Sequence, residues 1–164
     1  ASSQHLAGEL LNNLAGIDLV HIPYKGAGPA VNDVVGGQTP LAIVGMAPVM
    51  GHIKSGKLVA LAVTQSERAT FAADLPTVAE SPGLKGFEAT HWMGVFAPAK
   101  TPDDVVQKAQ AAIREAVTAP EVKARLLAMG IEPVGSAPTE FKAFLAADCE
   151  RFARMYKLTG LTPE

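Results

Sequence analysis

The run Gly26-Ala27-Gly28-Pro29-Ala30 has the residue types and spacing of an anion seat. Two glycines free the backbone, and proline suits the first position of a helix, where its missing N–H would have no partner anyway. The expected helix therefore opens at Pro29-Ala30. Amides at its start would form the positive end of the helix dipole, which favours a carboxylate or phosphate without a charged side chain. Tyr24 and Lys25 stand directly before the turn. An ordinary strand-to-helix connection fits the same residues, with Tyr24 packed under the turn and Lys25 in solvent.

A second group, Ser2-Ser3-Gln4-His5, joins hydroxyls that suit a helix cap to a histidine that could serve as a polar pocket residue or simply bond its helical neighbours. Serine beside histidine also raises nucleophilic catalysis, but the chain lacks the G-x-S-x-G elbow that exposes a nucleophile, so a serine hydrolase is a minor alternative. His5, His21, His52 and His91 show neither an i,i+4 pair nor an H-E-x-x-H run, and Cys149 has no second cysteine. No catalytic residue, metal ligand or cofactor is expected.

Composition narrows the classes further. In 164 residues, 48% are hydrophobic, enough for a core, while a net charge of −2 and 5% aromatic content argue against nucleic acid as a partner. No apolar run approaches the roughly 18 to 20 residues that span a bilayer, and the first residues lack a signal-peptide pattern.

The elements that would position these groups alternate. Leu6, Leu10, Leu11 and Leu14 have helical spacing. Val20 and Ile22 suggest a short strand, residues 30–35 a helix, 40–44 a buried strand, 49–54 a short helix and 58–63 another strand. A Pro-, Gly- and Ser-rich segment follows over 64–86, with one helical turn at 76–80. Residues 88–98 read as a long strand ending at Pro98. Thr101-Pro102-Asp103-Asp104 and Pro120 then open two helices, 131–134 suggests a strand, and Thr139-Glu140-Phe141 opens a last amphipathic helix. Strands alternating with helices imply an α/β fold with a largely parallel sheet. A helix that opens almost at the first residue suggests further sequence upstream.

Taken in order, Ser2-Ser3-Gln4-His5-Leu6-Ala7-Gly8-Glu9, His21-Ile22-Pro23-Tyr24-Lys25-Gly26 with Gly28-Pro29-Ala30, and the run from Gly56 to Val63 resemble one family. It is the substrate-binding proteins of tripartite tricarboxylate transporters, the Bug (TctC) family. Pro76-Thr77-Val78-Ala79-Glu80, Trp92 with Gly94, Ala97-Pro98, Thr101-Pro102, Pro120-Glu121-Val122 and the run from Gly130 to Gly135 extend the resemblance over nearly the whole chain.

The resemblance implies a periplasmic solute-binding protein that closes two lobes on a small carboxylate and presents it to membrane transporter subunits. Its fold would be the type II periplasmic-binding-protein architecture, here incomplete, because members are about twice this length. Residues 1–90 would form the second lobe without its opening strands, 91–98 the crossover strand, and 99–164 the C-terminal part of the first lobe. Apolar helix faces would then need a missing N-terminal half or a second copy to cover them.

By the same resemblance Ser2 and Ser3 face the ligand, and the backbone at Gly26, Ala27 and Gly28 approaches its carboxylate. Many relatives carry a polar residue, often Asp, where this chain has Gly45-Met46-Ala47. If that loop lines the cleft, an aromatic or aliphatic carboxylate is favoured over citrate or a plain amino acid; equally, Met46 could fill core space. The effector-binding domain of a transcription regulator shares this architecture and is the alternative function, although no DNA-binding helix pair is evident.

Overall fold

The computed structural model describes residues 2–161; residues 1 and 162–164 lie outside the described residues. The elements run α1 (Ser3–Ala15), α2 (Ala27–Val35), α3 (Met50–Lys54), α4 (Asp103–Thr118), α5 (Pro120–Ala128) and α6 (Pro138–Thr159). Two single 3-10 turns, at Thr70–Ala72 and Val78–Glu80, interrupt the long connection between α3 and α4.

Local chemistry explains most of these boundaries. Ser2 caps α1, its Oγ accepting the His5 N–H at 3.1 Å. In the α4 start, Pro102 rather than Thr101 takes the cap position, and Asp103 and Asp104 complement the positive helix end. Pro120 sits in the first turn of α5 and Pro138 in that of α6. The Glu140 carboxylate reaches back to accept the Ala137 N–H at 2.9 Å.

The helix after the glycine turn begins earlier than its sequence suggests. α2 starts at Ala27, with Gly26 as its cap at φ 109°, ψ 175°, and Gly28 and Pro29 already inside the first turn. Proline is tolerated anywhere in that turn, because none of the first amides has an intrahelical acceptor. Gly26, not Gly28, holds the positive φ.

α1 packs on α6. The apolar face of α1, Leu6, Ala7 and Leu10, meets Met155 of α6 together with Leu84, Phe87 and Ala89, all buried, with Phe152 and Tyr156 against them. The segment 88–98 is tied to the same helix. Trp92 packs edge-on against Phe141 and Phe144, with ring centroids 5.5 Å away in each case, and its indole N–H is bonded to buried Asp148.

The expected strands do not form a ladder. Among the described residues the pairing is one isolated parallel bridge, Val63 with Thr77, supported by Val63 N–H to Pro76 O and Val78 N–H to Val63 O. A ladder needs two extended segments about 4.8 Å apart. Here residues 41–47, 58–65, 89–97 and 130–136 all contribute to the walls of one open apolar groove of about 1870 Å³. Period-two character persists nonetheless, since Val59 and Leu61 are 79% and 67% exposed while Leu58, Ala60 and Ala62 are half-buried. These segments thus keep the patterning of a sheet without forming a ladder, although the Ala89 N–H donates to Thr64 O at 2.8 Å.

Candidate functional site

The start of α2 presents backbone donors to solvent. Gly26 has no side chain with which to cap the helix, no acid stands in the first turn, and residues 25–29 are exposed. The N–H groups of Gly26, Ala27 and Gly28 are the ones such a helix start leaves without intrahelical acceptors, whereas Pro29 has none to offer. Nothing lies within 4 Å of where a side chain would begin at Gly26 or Gly28, so a ligand atom can approach the backbone directly. The turn has the form of an anion seat built from amides.

Tyr24 anchors this turn from below. Its hydroxyl donates to Asp33 Oδ2 at 2.7 Å, tying the residue before the turn to the last part of α2. That bond raises the tyrosine's pKa above its ordinary value, with desolvation adding to it. Tyr24 is therefore occupied with holding the turn. Lys25 is exposed.

Segment 17–25 also meets the start of α1. The His5 and His21 rings stack face to face, 3.7 Å between centroids and 8° between planes, and His5 Nε2 lies 3.5 Å from Glu9 Oε1. Desolvation and then the neighbouring His5 ring lower the His21 pKa, and Glu9 partly offsets the shift. His5 thus faces a second histidine and an acid of its own helix. Asn12 supports the same connection, accepting the Leu19 N–H at 2.8 Å and donating to Leu19 O at 3.0 Å.

The two serines divide their work. Ser2 Oγ accepts the cap bond from the His5 N–H, while the Ser3 hydroxyl lies 3.1 Å from Gln4 Oε1 and 3.3 Å from His91 Nδ1. His91 escaped the sequence reading because its partner is distant along the chain; the available signal was a polar residue inside the apolar run from Ala89 to Ala97. Among the described residues no carboxylate is hydrogen-bonded to His91, so the pair is not completed as a catalytic triad.

The groove gathers Ser3, Gln4, Gly45, Met46 and His91 on its lining, whereas Ser2, His5, Tyr24, Gly26, Ala27 and Gly28 stand outside that lining. Its volume exceeds the roughly 300–1000 Å³ of ordinary small-molecule pockets, and most of its wall is apolar. Gly45 faces open space. Met46 packs against the space that a Cβ at Gly130 would take, so this methionine fills the gap beside the end of α5. Among the described residues no group of three His, Cys, Asp or Glu is placed to hold a metal, and no helix is long and apolar enough to cross a membrane.

A family model described as the tripartite tricarboxylate transporter family receptor, TctC, matches residues 1–161. This chain belongs to that family. Its fold is similar to a solved R. palustris protein with adipate, at TM-score 0.89 and 29% identity over 99% of this chain and 54% of that one. The periplasmic binding protein BugD is similar at TM-score 0.85 and 34% identity, covering 99% of this chain and 55% of the other. MatC from Rhodopseudomonas palustris with bound malate gives TM-score 0.78 and 30% identity over 96% and 53%. The chain spans about half the length of the curated relatives it matches. The architecture is accordingly that of a two-lobe periplasmic binding protein, incomplete here, and the unpaired sheet segments lie within that incomplete frame.

Proposed function

We propose that this TctC-family chain supplies one wall of a carboxylate-binding cleft in an extracytoplasmic solute-binding protein, which captures its ligand without transforming it and hands it to the membrane subunits of a tripartite tricarboxylate-type transporter. The observation that carries the reading is the uncapped, exposed start of α2, with Gly26 in a conformation open to glycine and the amides of Gly26, Ala27 and Gly28 facing solvent. Adipate and malate in similar proteins support a small organic diacid as the ligand class. Each charge-assisted bond from a backbone amide would contribute about 1.5–3 kcal/mol before the cost of ordering the ligand.

In this reading Ser2 and Ser3 at the start of α1 supply hydroxyls, His5 and Tyr24 shape the connection between the two helix starts, and Gly45 with Met46 sets the apolar far wall. Residues 1–90 belong to the second lobe, 91–98 cross over, and 99–164 return to the first, with α6 packed against α1 of the second lobe. Likeness to periplasmic binding proteins supports periplasmic residence. The exposed apolar faces are covered by the family's N-terminal half or by a second copy.

Calorimetric titration of the protein as encoded with adipate, malate and their monomethyl esters tests the proposal. Saturable binding of a diacid, weakened on esterification, is the expected result. A folded protein that binds none of them refutes it.

A further inference from the structure

We infer that His91 is a positioning residue of the carboxylate site, holding the Ser3 hydroxyl so that its proton is offered to the ligand; the inference rests on the carboxylate-binding reading above. Ser3 has no capping duty, because the adjacent Ser2 already takes the His5 N–H. Its oxygen lies within reach of two groups, Gln4 Oε1 at 3.1 Å and His91 Nδ1 at 3.3 Å. A hydroxyl has one proton and two lone pairs. With the proton directed to Gln4 Oε1, the contact to His91 is satisfied only if Nδ1 carries a hydrogen and donates to the serine oxygen.

That tautomer has a functional consequence. An arriving carboxylate is an acceptor and competes with Gln4 for the serine proton, while the Nδ1–H bond continues to satisfy the serine oxygen. The hydroxyl turns to the ligand without losing its orienting partner. In the opposite tautomer Ser3 would donate to Nδ1, and its proton would be unavailable to an anion.

The backbone around His91 is fixed on both sides. Thr90 O accepts from Arg151 Nη2 at 3.3 Å, and the Trp92 indole donates to Asp148 Oδ2 at 2.8 Å, so both neighbours are tied to α6. His91 itself is exposed, and it shares the groove lining with Ser3 and Gln4. A rigidly carried imidazole contacting a first-turn hydroxyl from 88 residues away fits a preorganised site, in which the serine oxygen is held in place before the ligand arrives and only its proton has to turn.

The test uses the protein as encoded, with adipate, malate and benzoate as probes. His91→Phe keeps a flat ring without nitrogen, and His91→Asn places an amide close to the Nδ1 position. His91→Phe is expected to weaken the tightest probe about tenfold, His91→Asn to restore most of that loss, and His91→Phe to change affinity less than about twofold when Ser3 is already alanine. Long-range proton–nitrogen NMR of the unliganded protein should show the Nδ1–H tautomer at His91. Wild-type binding with an unaffected His91→Phe variant, an undiminished His91 effect in the Ser3→Ala background, or an Nε2–H tautomer overturns the inference alone. A wild type that binds none of the three probes overturns the carboxylate reading as well. Because His91 is exposed, thermal melts of the variants should match wild type, and a collapsed melt would itself contradict the positioning role.

Discussion

Trp92 Nε1 donates a 2.8 Å hydrogen bond to Asp148 Oδ2, joining the 88–98 segment to the middle of α6. Asp148 is 7% exposed, and Arg151 one turn later bonds its other oxygen through Nε at 2.9 Å while donating to the carbonyls of Glu88 and Thr90. The carboxylate is therefore a junction between a helix and a segment that the helical periodicity of neither could have revealed. Asp148→Ala should destabilise the protein by about 3–5 kcal/mol, because it leaves a largely buried guanidinium with only the more distant Glu88 carboxylate, 3.9 Å from Nε. Trp92→Phe should cost about 1–3 kcal/mol by orphaning one carboxylate oxygen. Urea denaturation checks the order; a milder loss for Asp148→Ala than for Trp92→Phe would contradict this account.

The α1–α6 contact gives a second expectation. Leu6 is fully buried, beside Phe87 and Met155 in one cluster. Leu6→Ala should lower stability by about 2–5 kcal/mol through lost burial and the cavity left behind. Leu14 lies on the same helix but is partly exposed, so Leu14→Ala should cost less. Equal midpoints for the two variants in denaturant would show that α1 does not pack as described.

A pH dependence follows from Glu80. Arg68 grips its carboxylate, Nε at 2.9 Å and Nη2 at 2.6 Å, and the Thr77 N–H donates to it at 2.9 Å. Those bonds, the arginine's first, pull the Glu80 pKa down from 4.5 to about 2. A depressed carboxylate pKa means that the stabilisation is fully present above the unfolded value and disappears as pH falls through the folded one. The acid limb between about 4.5 and 2 should be shallower in Glu80→Gln, as followed by melting temperature against pH. Both groups are well exposed, so added salt should shrink the difference.

The helices were legible because their signals are local. Ser2 before α1, the paired acids of α4 and Pro120 at α5 each mark a boundary within a few residues, and leucines at helical spacing mark the buried face of α1. Strand pairing is not local: Val59 and Leu61 have the right alternation, but whether a partner lies alongside is decided elsewhere in the chain. The same distinction divides the site. The glycine turn before α2 could be read from five residues, although the proline was a poor guide to its first turn. The contacts of Tyr24 with Asp33 and of Ser3 with His91 depend on where helices settle, and spacing does not encode that.

The conformation of Gly26 offers the sharpest separation between amide recognition and charge attraction. At φ 109°, ψ 175° it occupies a region that is essentially glycine's alone, so Gly26→Ala carries a strain of about 1–3 kcal/mol and reorients the first amides of α2. Gly28 lies inside the first turn without a positive φ and with open space around it, so Gly28→Ala should leave the turn intact. Diacid affinity should consequently fall about tenfold or more in Gly26→Ala and stay within about twofold in Gly28→Ala. On the proposed reading, in which backbone dipoles rather than the lysine charge hold the anion, Lys25→Ala should also be mild, with an unchanged salt dependence. Calorimetry on the three variants, each checked for a wild-type circular dichroism spectrum, measures the contrast. A large loss in Lys25→Ala with Gly26→Ala unaffected would mean that the lysine, not the turn, seats the carboxylate.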